Sequence, residues 1–176
     1  RKSTVSDSFF GNMTDSLLGG VNRMIYIYKS VQPMSTIKRL VVATPPKCEF
    51  ESGFNKWCNR VFTLAGQIGG ELVFYCTKDT KEAIVEIAKE IKTSVQIQYF
   101  LLADWEDFLI LTKEVQYNDL LMVVTARKQS ISYTPLLEKL PKQLSNYFSE
   151  NSFIVLYPEQ FKEGEYDRNI SERKFI

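Results

Sequence analysis

The chain has 176 residues, 44% hydrophobic and 24% charged, enough to bury one full core and too apolar for a disordered segment. Formal net charge is +1, so there is no electrostatic footprint for nucleic acid, and no apolar run approaches the ~20 residues of a bilayer span. Histidine is absent, which removes the commonest general base, the commonest metal ligand and any Ser-His-Asp or Cys-His arrangement.

The three cysteines, Cys48, Cys58 and Cys76, are odd in number and widely spaced. They make no disulfide framework and suit a reduced setting. Cys58 and Cys76 fall within apolar patterns and read as packing residues. The chain begins at Arg1 with no signal-peptide pattern and is read as a piece of a longer protein.

In chain order, residues 1–35 read as a loop, a short helix (12–20), a strand (24–28) and a linker. "TIKRLVVAT" (36–44) is a buried strand ending in a Pro-Pro turn. The next helix carries Phe54, Trp57, Cys58, Val61, Leu64, Ala65 and Ile68 on one face and stops at Gly69-Gly70. "ELVFYCT" (71–77) is a second strand. Asp79 or Thr80 is the expected cap of a helix with the stripe Ile84, Ile87, Ala88 and Ile91, Asp79 and Glu82 having capping-box spacing. "SVQIQYFLLA" (94–103) is a third strand, after which Asp104 caps the helix "WEDFLILTKEV". The carboxylates Asp104, Glu106 and Asp107 read as charges complementing that helix start.

"DLLMVVTA" (119–126) is a fourth strand. Thr134 caps the next helix, with Pro135 at its favoured first position and a kink expected at Pro141. Its stripe is Leu137, Leu140, Leu144 and Tyr147 or Phe148, and "SFIVLYP" (152–158) is a fifth strand. Residues 161–176 are charged and aperiodic, a tail. Alternating strands and helices, with continuous apolar strands, imply an α/β fold: an open five-stranded parallel sheet with helices on both faces. Residues 1–35 repeat the loop-helix-strand order that closes this domain, as the last helix and strand of a preceding repeat would.

The βαβαβαβαβ order of 36–158 resembles the universal stress protein domain, an adenine nucleotide alpha hydrolase-like architecture. The pairing of "VVATPPKCEFESGFNKWCNRVFTLA" with "ARKQSISYTPLLEKLPKQLSNYFSENSFIVLYPEQ" is similar to the cytoplasmic tails of bacterial Na+/H+ (cation/proton) antiporters, where universal stress repeats follow a membrane transporter. The resemblance divides the chain into the end of a preceding repeat with its linker (1–35), a complete domain (36–160) and a tail (161–176). It implies a site at the cytoplasmic face of the bacterial inner membrane. The partners it implies are the transporter part of the same polypeptide and the preceding repeat in cis, with a homodimer as a further partner. In such dimers the last strands pair antiparallel, so 24–28 is expected to pair with 153–157.

Nucleotide-binding members carry an Asp after the first strand and G-x2-G-x9-G-[S/T] after the fourth, where glycine lets the backbone approach phosphates. Here Thr44, Pro45 and Pro46 stand at the first place, and "ARKQSISYT" holds no glycine at the second. Gly11-Asn12 in the leading segment matches the end of that motif weakly and reads better as a turn at a helix entry. Thr44, Lys47, Arg127, Lys128, Ser130, Ser132 and Thr134 are the candidate phosphate or nucleotide ligands, since cations beside a helix start hold anions without a glycine nest. The alternative for the 127–134 loop is a solvated turn with a Thr cap. Tyr133 is either a base-stacking ring or a surface aromatic.

Three functions follow. The first is a non-catalytic regulatory domain of a cation/proton antiporter with a degenerate nucleotide site and no cofactor, biasing transport by differential affinity for two states. The second is a nucleotide-binding universal stress protein with ATP or a related ligand at 127–134. The third, an enzyme such as a weak ATPase, is opposed by the missing histidine, the missing glycines and the lack of a carboxylate suited to a metal beside the loop.

Overall fold

The computed structural model describes residues 21–160. The helix expected over 12–20, the Gly11-Asn12 pair and the tail 161–176 lie outside them. The strands are β1 (Ile25–Lys29), β2 (Arg39–Ala43), β3 (Glu71–Cys76), β4 (Ile97–Leu101), β5 (Asp119–Val124) and β6 (Ser152–Tyr157). The α-helices are α1 (Phe54–Ile68), α2 (Lys78–Glu90), α3 (Leu111–Glu114) and α4 (Leu140–Tyr147). Among these described residues no helix is long and apolar enough to cross a membrane.

After a charged first residue, the strands β2, β3 and β5 are apolar because both their faces are covered. On one face Leu40, Val42, Leu72, Phe74, Leu120 and Met122 pack with the buried sides of α1 and α2. On the other, Val41, Val73, Leu121 and Val123 pack with Trp105, Phe108, Leu111, Leu140, Leu144 and Phe148. Full burial of each large side chain stabilises by about 1.5–3 kcal/mol, so these two layers carry the fold.

The sheet has six strands, in the order β1-β6-β5-β2-β3-β4, where five parallel strands were expected. The sixth is the leading strand. Ile25–Lys29 pairs antiparallel with Phe153–Tyr157, Ile25 facing Tyr157 and Lys29 facing Phe153. This is the pairing expected of 24–28, displaced by a residue. The other neighbours run parallel. After β2 the chain builds outward to β3 and β4, then crosses back to lay β5 on the other side of β2. The switch point of the sheet therefore lies between β2 and β5.

Local details depart from the sequence reading in physically simple ways. The cap of α2 is Thr77, whose hydroxyl accepts from the Thr80 backbone N–H, rather than Asp79 or Thr80. Ile91 ends up exposed beyond that helix, and Tyr147 is exposed while Phe148 is buried. The segment after Asp104 is mostly 3-10 helix (Trp105–Ile110) before the single turn of α3, with Asp104 capping as expected. The helix after Thr134 starts as a 3-10 segment, Pro135–Lys139, and becomes α only at Leu140. Pro141, lacking an N–H, sits in the first turn of α4, so the expected kink is a change of helix type. Gly69 ends α1 in the left-handed region at φ 68°, its N–H closing on the Ala65 carbonyl.

At the amino edge Arg39 and Asp119 are register partners on β2 and β5. Arg39 Nε donates to Asp119 Oδ1 at 3.0 Å and Nη2 to Oδ2 at 2.6 Å, and Nη2 also reaches the Glu114 carbonyl at 2.8 Å. Asp119 Oδ2 further accepts the Gln116 N–H at 2.7 Å. These bonds to Asp119 lead in raising the Arg39 pKa above its ordinary value.

Candidate functional site

In open α/β sheets ligands bind outside the carboxyl ends of the strands, at the switch point. Here that crevice is bounded by the loop after β2 (44–53) and the loop after β5 (125–134). The first loop turns at Lys47, which is exposed and left-handed at φ 68°, into a 3-10 turn, Cys48–Phe50. The Glu51 N–H bonds the Cys48 carbonyl at 3.1 Å, and the Glu51 carbonyl accepts from the Phe54 N–H at 3.0 Å as α1 begins. The backbone of Glu51 is thus fixed on both sides.

The second loop is folded by two successive turns, Ser130 N–H to the Arg127 carbonyl at 2.9 Å and Tyr133 N–H to the Ser130 carbonyl at 3.1 Å. Its buried residue Ser132 donates twice to one oxygen: the N–H and the hydroxyl both reach Glu51 Oε1, at 2.9 and 2.7 Å. A carboxylate of the protein itself therefore spans the switch point, held as an incoming anion would be.

The remaining candidates are also placed within the protein. The Arg127 guanidinium is buried and donates to the Val21 and Arg23 carbonyls, the latter at 2.8 Å, so it ties down the entry to β1. Burial lowers its pKa from the ordinary arginine value. Lys128 is exposed and stands 3.4 Å from Glu138, whose Oε1 also accepts the Tyr133 hydroxyl at 2.5 Å. The bond from Tyr133, followed by Lys128, holds the Glu138 carboxyl below its ordinary pKa. Ser130 Oγ accepts from the Gln160 side-chain amide, and Thr134 caps the following 3-10 segment through the Leu136 N–H at 3.5 Å. Thr44 is fully buried, with its hydroxyl beside the Cys48 thiol and in no hydrogen bond of good geometry. All seven residues named from the sequence follow the carboxyl ends of β2 and β5.

Two features were missed. Glu51 is the first, and its partner is far away in the chain, so no local spacing announces it. The second is the chain after β6. Pro158, Glu159 and Gln160 cross over Gly53 so closely that a Cβ there would lie 2.6 Å from the Glu159 carbonyl oxygen. Lys56 pairs with the Glu159 carboxylate, and the Gln160 N–H reaches the Asn22 carbonyl at 2.7 Å. The chain after β6 is thus tied to the loop after β2 at Gly53 and to the loop after β5 at Ser130.

The thiols offer no nucleophile. All three are buried, and burial pushes Cys48 and Cys58 well up and Cys76 up to about 12, so the thiolate is disfavoured. Among the described residues no group of His, Cys, Asp and Glu side chains could hold a metal ion. A depression of about 650 Å³ opens at the opposite, amino edge, among Lys38, Arg39, Gly69, Gln96 and Asp119. It lies at the wrong end of the strands for a switch-point ligand, and its buried charge is already paired within the sheet. Comparison of the chain with protein-family models and with curated proteins gives no match.

Proposed function

We propose that this chain is a universal stress-like regulatory domain without chemistry of its own, carried on the cytoplasmic tail of a bacterial cation/proton antiporter. Its work is contact: with the membrane part of the same polypeptide, and with the preceding repeat whose last strand is β1. The resemblance stated above supplies the family. The sheet order and the antiparallel addition of β1 to β6 fit it. The observation that carries the non-catalytic reading is the Glu51 carboxylate on Ser132, at the place where a nucleotide phosphate would need those donors.

A second reading, a nucleotide-binding universal stress protein, is favoured by the exposed cations Lys47 and Lys128 on the two loops that follow β2 and β5. A thermal-shift titration with ATP, ADP, AMP and cyclic dinucleotides, with and without Mg2+, separates the two. A ligand at ~100 times its Kd adds roughly 2.7 kcal/mol to stability. The contact domain gives no shift with any of them. A shift that Lys128→Ala abolishes would overturn it in favour of nucleotide binding.

A further inference from the structure

We propose that the chain leaving β6 is a latch on β1: residues 158–160 hold the entry of β1 against the loops after β2 and β5, and lifting them undocks β1 from β6 while the parallel sheet stays folded. The inference rests on the fold alone and goes beyond the contact-domain reading by naming the element that moves.

Among the described strands β1 is an edge, joined antiparallel to β6 and to no other neighbour. Its side chains bury little. Tyr26 and Tyr28 are exposed and Ile25 and Ile27 half-buried, whereas Phe153, Val155 and Leu156 of β6 are buried. An edge strand with so little apolar burial has a low local stability, set by its ladder and its tethers. Tethers gather at its entry. The Val21 and Arg23 carbonyls accept from Arg127, and the Asn22 carbonyl between them accepts the Gln160 N–H at 2.7 Å.

Gln160 is bound in turn. Its side-chain amide donates to Ser130 Oγ, the neighbouring Glu159 carboxylate pairs with Lys56 on α1, and the Glu159 backbone lies over Gly53. The exit chain therefore joins the start of α1, the loop after β5 and the entry of β1. The far end of β1 is fastened separately, where Ser152 Oγ accepts the Val31 and Gln32 N–H groups at 2.9 and 3.2 Å. A strand fastened at one end by the latch and at the other by β6 itself opens from the latched end and pivots at the other. Opening bares the outer edge of β6, a row of unpaired backbone groups that another strand can take. Drawing 158–160 away thus changes a strand edge at a distance, through an element with two states.

Gly53→Ala tests the latch without removing any of these bonding groups. Gly53 has right-handed helical backbone at φ −81°, which alanine adopts freely. The added Cβ would lie 2.6 Å from the Glu159 carbonyl oxygen and 2.9 Å from the Glu159 nitrogen, so the exit chain must lift. Amide hydrogen exchange is measured on the full chain, unsubstituted and as Gly53→Ala. The β1 amides bonded to β6 should exchange roughly tenfold faster, as for one or two lost hydrogen bonds, most at Ile25 and least at Lys29, with β2, β3 and β5 unchanged. An increase confined to 52–56 and 158–160 overturns the proposal, as does one greatest at Lys29 or spread evenly over the sheet. If Gly53→Ala does not fold, Glu159→Ala combined with Gln160→Ala carries the same comparison by removing the side-chain ties to Lys56 and Ser130. None of these results touches the contact-domain reading, which nucleotide binding by the unsubstituted chain overturns.

Discussion

The two edges of the sheet each hold a carboxylate in short hydrogen bonds, yet the bonds mean different things. At the amino edge Asp119 binds Arg39 at 2.6 and 3.0 Å, and both residues stand on neighbouring strands in direct register. At the carboxyl edge Glu51 binds Ser132 at 2.9 and 2.7 Å, and both residues stand on loops at the switch point. The distances do not distinguish them; the topology does. A carboxylate locked between strands belongs to the sheet and fixes its register. A carboxylate locked between loops ties the loop after β2 to the loop after β5.

The amino edge provides the sharpest way to break this contrast. Asp119 is 1% exposed and anchors Arg39 and the Gln116 N–H together, so Asp119→Ala leaves a cation and a backbone donor without their acceptor. Removing one partner of a buried pair costs about 3–5 kcal/mol, and the partly exposed Arg39 puts the expected loss at the low end, about 3 kcal/mol. Urea denaturation reads this directly. A loss under about 1 kcal/mol would rank the pair with surface ion pairs and remove the distinction between the edges.

Next in size is Arg127→Ala. The guanidinium holds two carbonyls of the segment leading into β1, and hydrogen bonds to charged groups contribute about 1.5–3 kcal/mol. The effect should be local as well as global: faster amide exchange over Ile25–Lys29, with β2, β3 and β5 unchanged. A uniform rise in exchange would show that β1 is held by its ladder to β6 alone, and that Arg127 is not its clasp.

These two arginines and two acids also show what was legible in the sequence. Alternation and apolar runs located every parallel strand, because burial on both faces writes continuous Val, Leu and Phe into β2, β3, β5 and β6, while the edge strand β4 is only partly covered. The antiparallel seat of β1 followed from the order of elements. Side-chain partners were less legible. Asp119 was read as the start of a strand, and its partnership with Arg39 appears only once β2 and β5 lie side by side. Arg127 was read as a phosphate ligand, and its bonds to the Val21 and Arg23 main-chain carbonyls leave no mark on residue types. Ser132 was named, but the acid that meets it lies on a loop far earlier in the chain, brought there by the crossover. Thr77 took the cap of α2 from Asp79 and Thr80 because the strand before it ends a residue earlier than its apolar run suggested. Its hydroxyl reaches the Thr80 N–H across the turn.

The smallest effect expected separates the carboxyl edge from an ordinary loop surface. Lys128 and Glu138 are both largely exposed, with the ammonium 3.4 Å from the carboxylate, so water and salt screen the pair. Lys128→Ala therefore leaves the urea midpoint unchanged at 0.15 M salt. A loss of about 1 kcal/mol or more would instead make the pair part of what holds the 125–134 loop, beside the bonds from Ser132 to Glu51.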